Sequence, residues 1–133
     1  MERTSEEKVV AGLGHLAYIF GWIGLIATAV VFVMYRQKSA YVAEHTKQSL
    51  GLQVIALALR VIAGVLTGVS SFGFGLARVS RTAFAGSFLM GIGLLSLISL
   101  IALAFAITAA VKAFMGQEHR HPLFGDFVAR MAA

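Results

Sequence analysis

The sequence contains no cysteine and one proline, and only 13% of its residues are charged. Without cysteine the chain forms no disulfide and offers no thiolate to a metal ion. Pro122 lies near the C-terminus, so no proline interrupts the long apolar segments before it. Soluble domains carry roughly 25% charged residues, whereas 59% of this chain is hydrophobic. The scarcity of charge therefore excludes an ordinary soluble surface.

Three long segments are almost free of charge. Residues 9–35 and 82–111 contain no Asp, Glu, Lys or Arg, and residues 48–77 contain only Arg60. A helix needs about 20 apolar residues to cross the hydrocarbon core of a bilayer. The sequence thus predicts an all-α integral membrane protein, one membrane domain over residues 1–133, with the lipid bilayer as its partner. The predicted parts are transmembrane helices at about 9–35, 46–69 and 84–113, a polar loop at 36–47 and a C-terminal tail at 114–133.

The first predicted span is long and rich in glycine. Two halves of about 13 residues would each reach about 20 Å, which is too short to cross separately. We therefore expect one long or kinked helix. The alternative is a re-entrant hairpin, giving four helical segments, and Trp22 favours it because tryptophan prefers the membrane interface.

The basic residues predict the orientation. With three spans, the side that holds the 36–47 loop and the tail has six Lys and Arg residues against four, and with a hairpin it has eight against two. The positive-inside rule places that side in the cytoplasm. We expect a multi-pass protein of the inner membrane with a cytoplasmic C-terminus. The net charge of +5 indicates contact with anionic lipid headgroups, and no nucleic-acid partner is predicted.

Arg60 is a charge inside an apolar segment, and all six acidic residues lie outside such segments. On a helix it shares a small and polar face with Ser49, Gln53 and Thr67, so the face is predicted to meet protein rather than lipid. One interpretation is that Arg60 extends to the headgroups. The other is a site for a small solute or anion made by these four residues.

Small residues at steps of four predict close helix packing. Ala102, Ala106 and Ala110 form such a series in the third span. Together with the small face around Arg60, the series predicts a homo-oligomer. His15, inside the first apolar segment, is interpreted as a neutral imidazole that bonds across helices.

The 36–47 loop, the start of the second span and the tail hold most of the remaining polarity. Their histidines and carboxylates have no spacing typical of a metal site, so neither a metal nor another cofactor is predicted. We expect the loop and tail to pack together at the membrane surface. The residues of this predicted cytoplasmic cluster are Glu44, His45, Lys47, Gln48, Glu118 and Asp126.

The segments "AEHTKQSLGLQ" and "KAFMGQEHRHPLFGDFVARM" resemble motifs of small bacterial membrane proteins related to the chloroplast inner-envelope protein-import (Tic-type) component. His119 and His121 stand where aromatic residues are more usual in that family. The resemblance implies an all-helical membrane fold and no particular activity. The matching positions are Glu44, His45, Lys47, Gln48, Gln53, Gly116, Pro122, Gly125 and Asp126.

No Ser/His/Asp, paired-carboxylate or HExxH arrangement occurs in the spans, so an enzyme is not predicted. The first functional hypothesis is a homo-oligomeric channel or transporter for a small solute, either neutral or anionic, since three helices alone cannot enclose a pathway. The alternative is a non-transport scaffold or assembly factor that docks partners on its cytoplasmic face.

A single cysteine at Ser39 or Ala132 in this cysteine-free chain tests the orientation. Because both positions are predicted to be cytoplasmic, we expect no reaction with an impermeant thiol reagent in intact cells. Labelling of either position in intact cells would contradict the orientation.

Overall fold

The computed structural model describes residues 3–76, 81–122 and 125–131, and this part of the chain contains helices and no strand. The all-α prediction is confirmed there. Ala132, one of the two positions for the cysteine test, lies outside the described residues, and so does Arg78, one of the basic residues in the charge count. The helices are α1 (Ser5–Leu16), a 3-10 helix (Ala17–Phe20), α2 (Trp22–Tyr35), α3 (Ala40–Leu76), α4 (Arg81–Phe114) and α5 (Gly125–Met131).

The first apolar segment is not one helix. α1 passes into the 3-10 helix, and Gly21 then takes a φ of +58° before α2 begins at Trp22. Glycine adopts this left-handed backbone without the steric penalty of other residues, so the chain can reverse direction there. The prediction of one long helix over residues 9–35 is wrong.

α1 and α2 instead form the hairpin that was the alternative. Thr28 Oγ1 lies 3.2 Å from the Gly14 carbonyl oxygen and 2.8 Å from that of Gly24, and can donate to both. Tyr35 Oη donates to Glu6 Oε1 at 2.9 Å, so the start of α1 and the end of α2 lie together. The 14 residues of α2 rise only about 21 Å, against about 30 Å for the hydrocarbon core.

α3 and α4 are the two described helices that are long and apolar enough to cross a membrane. Their apolar windows have mean hydropathies of 2.0 and 2.6, and only 22% of each window is buried. A core helix of a soluble protein would bury most of its apolar surface, so these exposed faces are suited to lipid. The predicted ranges 46–69 and 84–113 lie within α3 and α4, and the described chain has two candidate spans where three were predicted.

The chain divides into two compact units, of which the first is Met1–Val54 with Ala102–Ala133. In this unit α1 packs closely on its neighbours: a Cβ at Gly14 would lie 3.1 Å from Thr46 Cγ2, and a Cβ at Gly12 would collide with the Phe114 ring. Because Gly12 and Gly14 have no side chains, the hairpin can approach α3 and the end of α4. The apolar centre consists of Ala11, Tyr41, Val42 and Ala113.

The second unit is Ile55–Ile101, made of the later part of α3 and the first part of α4. The two helices approach closely at Gly91, where a Cβ would lie 2.9 Å from Thr67 Cβ. Ser71 Oγ and Ser87 Oγ are 3.0 Å apart and share a hydrogen bond. Close packing of small residues therefore holds this helix pair together.

The helix faces predicted from residue size are confirmed. On α3, Ala56 and Ala63 are buried and Arg60 between them is half-buried. The alanine series of α4 is buried within the chain, so the close packing of these alanines does not require a second copy. The buried alanines of α4 are Ala102, Ala106, Ala109, Ala110 and Ala113, and the exposed large residues near Arg60 are Leu59, Val61, Ile62 and Val65.

Gly24 tests the hairpin packing, because a Cβ there would collide with the carbonyl oxygen of Ala17. We expect Gly24→Ala to lower the free energy of unfolding in mild detergent by about 1–3 kcal/mol, since the turn must open. Gly93→Ala is the control: nothing lies within 4 Å of its added Cβ, and it should be neutral or stabilise α4 by up to about 1 kcal/mol. Equal melting temperatures for the two variants would contradict the packing.

Candidate functional site

The polar residues of the first unit gather where α1 begins, α2 leads into α3 and α4 passes into the tail. We call this region the polar end and define it as residues 3–8, 36–49, 114–122 and 125–126. The sequence has four histidines; all four are buried, and their rings form one chain of edge contacts at the polar end and directly beside it. Buried polar rings are costly unless they are hydrogen-bonded, so their partners define the site.

His45, on α3, joins two other segments. Its Nδ1 lies 3.2 Å from His15 Nε2 on α1, and its Nε2 lies 3.1 Å from the carbonyl oxygen of Gln117 in the tail. A carbonyl oxygen only accepts, so His45 Nε2 carries the proton and donates, and His45 Nδ1 accepts from His15 Nε2–H. The contact confirms that His15 bonds across helices.

His119 and His121 extend the cluster in the tail. Their ring centroids are 4.9 Å apart, and the His121 ring lies 6.0 Å from that of His15. Burial lowers the pKa of His121 to about 4, with smaller contributions from His119 and His45. Burial also lowers the pKa of His119, and Lys112 adds to the effect. Both tail imidazoles are therefore neutral near pH 7.

Gln48 fastens the tail to α3. Its Nε2 donates to the carbonyl oxygen of Gly125 at 2.9 Å and to Glu44 Oε1 at 3.0 Å. Its Oε1 accepts from the His121 backbone N–H at 3.5 Å. Lys47 Nζ lies 2.9 Å from Glu44 Oε2 and holds that carboxylate in place. The Glu44–Gln48 segment is thus a clamp on the tail.

Arg3 closes the polar end from the N-terminal side. It donates to the carbonyl oxygen of Gly116 and to Glu118 Oε1, both at 2.9 Å. Its guanidinium carbon lies 4.1 Å from the centroid of the Tyr41 ring, a cation–π distance. Tyr41 Oη in turn donates to the Ala113 carbonyl oxygen at 2.6 Å, so the N-terminus, α3 and α4 are tied together.

The structure divides the predicted cytoplasmic cluster between the clamp and the surface. Glu44, His45, Lys47 and Gln48 belong to α3 and hold the tail. Glu118 pairs with Arg3, and Asp126 pairs with Arg120 at 3.2 Å. The Glu118 and Asp126 side chains are 82% and 78% exposed, so these carboxylates are within reach of a partner.

A cleft of about 310 Å³ opens beside these groups. Its walls carry both signs of charge and two imidazoles, so it suits a polar partner. Among the residues that the structure describes, no group of three or more His, Cys, Asp or Glu side chains is placed to hold a metal ion. The cleft is lined by Arg3, Ala40, Tyr41, Glu44, His45, Glu118, His119 and Arg120.

The four residues of the predicted solute site belong to different units. Ser49 and Gln53 are buried in the first unit, whereas Arg60 and Thr67 belong to the second. Thr67 Oγ1 donates to the Ala63 carbonyl oxygen of its own helix at 2.8 Å, which is an ordinary local bond. The solute site stays a prediction.

Sequence reasoning missed the partners of Ser49 and Gln53. Ser49 Oγ donates to the Gly14 carbonyl oxygen at 2.7 Å, and Gln53 Nε2 donates to Thr28 Oγ1 at 3.0 Å. Gly14 contributes a backbone atom and Thr28 lies in an apolar segment, so neither gave a signal. These bonds attach the hairpin to α3.

Comparison with known proteins corrects the family assignment. The model of the MamF/MmsF family, described as the magnetosome magnetite crystal formation protein family, matches residues 6–128. No curated protein and no solved structure matches the chain. The expected relation to the chloroplast import component is wrong. The two segments on which the resemblance was based form the clamp and the tail. Residues that serve packing do not identify an activity.

The lowered pKa of His121 predicts a pH-dependent stability. In the unfolded chain a histidine binds a proton near pH 6.5, whereas folded His121 does so only near pH 4. The unfolded state is therefore favoured as the pH falls between these values, by up to about 1.4 kcal/mol per pH unit for one histidine. We expect the melting temperature in detergent to fall from pH 6.5 to 4.5, and less steeply for His121→Asn. The same slope in both proteins would contradict the assignment.

Proposed function

The chain belongs to the MamF/MmsF family of magnetosome magnetite crystal formation proteins, and we propose that it serves this process as a multi-pass membrane scaffold. In this proposal α3 and α4 anchor the chain in the magnetosome membrane. The polar end is a docking surface for partner proteins on the cytoplasmic face. The proposal includes no catalytic role and no nucleic-acid partner.

The observation that carries the proposal is the distribution of reactive side chains. Every acidic residue and every histidine of the sequence lies outside Ile55–Ile101. Carboxylates and imidazoles are the side chains that commonly ligate iron and other metal ions, and the second unit offers neither. The chain therefore supports crystal formation through what the polar end binds rather than through mineral ligands on its membrane-crossing part.

The use of the buried polar groups supports a scaffold over a transporter. The hydrogen bonds of His15, His45 and Gln48 join α1, α3 and the tail. Groups used in this way rigidify a surface, and they do not line a passage. The exposed carboxylates Glu118 and Asp126 remain for a partner. The channel or transporter hypothesis now depends on Arg60 alone, on the small face of α3.

We also propose that the protein self-associates. The proposed contact is formed by two glycines of α3 rather than by the alanine series of α4. The alanine series is buried within the chain, but a Cβ at Gly64 or Gly68 would meet nothing within 4 Å. These glycines lie one turn apart on α3, the spacing at which helices of two copies approach closely in a membrane. A homo-oligomer would present several polar ends side by side.

Complementation in magnetosome-forming cells that lack the gene distinguishes the two functions. We expect Arg60→Met to restore the crystal length measured by electron microscopy, because a scaffold does not need that charge. We expect Glu118→Ala combined with Asp126→Ala not to restore it, because the exposed carboxylates of the docking surface are gone. Both lost ion pairs are exposed and contribute about 0–1 kcal/mol, so the double variant should fold.

Equal amounts of both variants in the magnetosome membrane, measured by immunoblot, are the control for expression. The reverse result, with crystals restored by the double variant and not by Arg60→Met, would overturn the scaffold in favour of transport.

A further inference from the structure

We propose that the α1–α2 hairpin is a wedge in one leaflet, which binds the acyl chains next to the polar end and makes the chain prefer membranes that are convex on that side. The inference rests on the membrane location in the proposed function. It adds the acyl chains of one leaflet as a binding partner, beside the proteins that the polar end is proposed to bind.

The hairpin has one face for protein and one for lipid. Gly14, His15 and Thr28 are buried and hydrogen-bonded or packed against α3. The large side chains on the opposite face are exposed, and Ile23 is 75% exposed. An apolar surface of this kind is stable against hydrocarbon and not against water. Its largest exposed side chains near the turn are Ile19, Phe20, Trp22, Ile23 and Ile26.

Both legs of the hairpin end at polar groups. α1 begins with Glu6, Glu7 and Lys8, and α2 is followed by Arg36 and Lys38. Basic residues at this position are attracted to anionic headgroups. The base of the hairpin therefore lies at the headgroup level, on the same side as the polar end, and its apolar turn points into the bilayer.

The length of α2 limits how deep the turn reaches. Its 14 residues rise about 21 Å, of which roughly 6 Å cross the headgroup region of one side. The remaining depth of about 15 Å equals half of the hydrocarbon core. The turn at Gly21 thus ends near the middle of the bilayer, and the hairpin occupies space in one leaflet only.

Volume added to a single leaflet expands that leaflet relative to the other. A bilayer relieves the mismatch by curving so that the expanded leaflet is convex, and segments inserted on one side bind with a corresponding sensitivity to curvature. α3 and α4, being long enough for both leaflets, do not create this asymmetry. The hairpin therefore favours curved membrane with the polar end on the convex surface.

The fluorescence of Trp22 reports the depth of the turn in the bilayer, because Trp22 is the single tryptophan of the chain and lies at the turn. In vesicles of brominated phosphatidylcholines, we expect its fluorescence to be quenched most by bromines near the acyl-chain ends. Tryptophan often prefers interfaces, so strongest quenching by bromines near the headgroups is the informative opposite result. It would place the turn at an interface and overturn the wedge.

Sorting on membrane tubes tests the curvature preference. Gln37 is exposed, unlike the buried Ser39, so Gln37→Cys labelled with an impermeant dye marks only molecules whose polar end faces outward. On narrow tubes pulled from giant vesicles, we expect about two-fold or greater enrichment of protein over a lipid dye. Equal densities on tube and vesicle, with Trp22 deep in the bilayer, would overturn the curvature preference and leave the scaffold intact.

A matched pair of triple variants assigns the effect to the hairpin. Replacement of Ile19, Ile23 and Ile26 by alanine reduces the wedge and should lower the enrichment toward one. Replacement of Leu97, Leu100 and Ile101 on α4, also exposed and of the same side-chain volume, should not lower it. Equal loss in both variants would overturn the wedge. Release of the unmodified protein from membranes by alkaline carbonate would instead defeat the proposed membrane scaffold itself.

Discussion

The arrangement of the first unit depends on one buried imidazole that uses both of its nitrogens. His45 is 1% exposed; it accepts from His15 on α1 and donates to the Gln117 carbonyl oxygen in the tail. A neutral histidine has one donor and one acceptor, so this pair of partners satisfies it completely. Loss of either contact would leave a buried polar atom unpaired, which costs about 1–3 kcal/mol. The hairpin and the tail are thereby coupled through a single side chain of α3.

Close approach of the segments is the condition for these bonds. His15 reaches α3 because Gly14 has no side chain to meet Thr46, and Gly12 likewise leaves room for Phe114 at the end of α4. Ser49 can then donate to the backbone of Gly14, a bond that needs α1 and α3 within side-chain reach. In lipid, small residues and interhelical hydrogen bonds replace the hydrophobic effect as the cause of helix association. The large apolar residues consequently face outward, as Ile23 does.

How much of this could be predicted depends on the kind of signal. Residue size and helical periodicity sufficed for the buried face around Ala56 and Ala63, and the basic residues at the ends of the apolar segments give the same preferred orientation for either topology. The hairpin could not be derived, because 27 uncharged residues are compatible with one tilted helix or two short ones. The choice is made by the positive φ of Gly21 and by Thr28 bonding to a backbone atom. Neither has a pattern that distinguishes it from other glycines and threonines in apolar helices.

The same distinction explains why the family motif was informative about structure and misleading about relationship. Glu44 and Gln48 lie one turn apart, and Gln48 contacts both Glu44 and the tail backbone. Their positions therefore reflect how the tail is fastened, and such a packing role does not identify a family or an activity. Chemistry toward a partner depends instead on groups that are not consumed in this way. In the proposed function the exposed carboxylates Glu118 and Asp126 take this role, and their described ion pairs are with Arg3 and Arg120. Because exposed pairs exchange readily with solvent or with another charge, a partner can displace them without unfolding the clamp beneath.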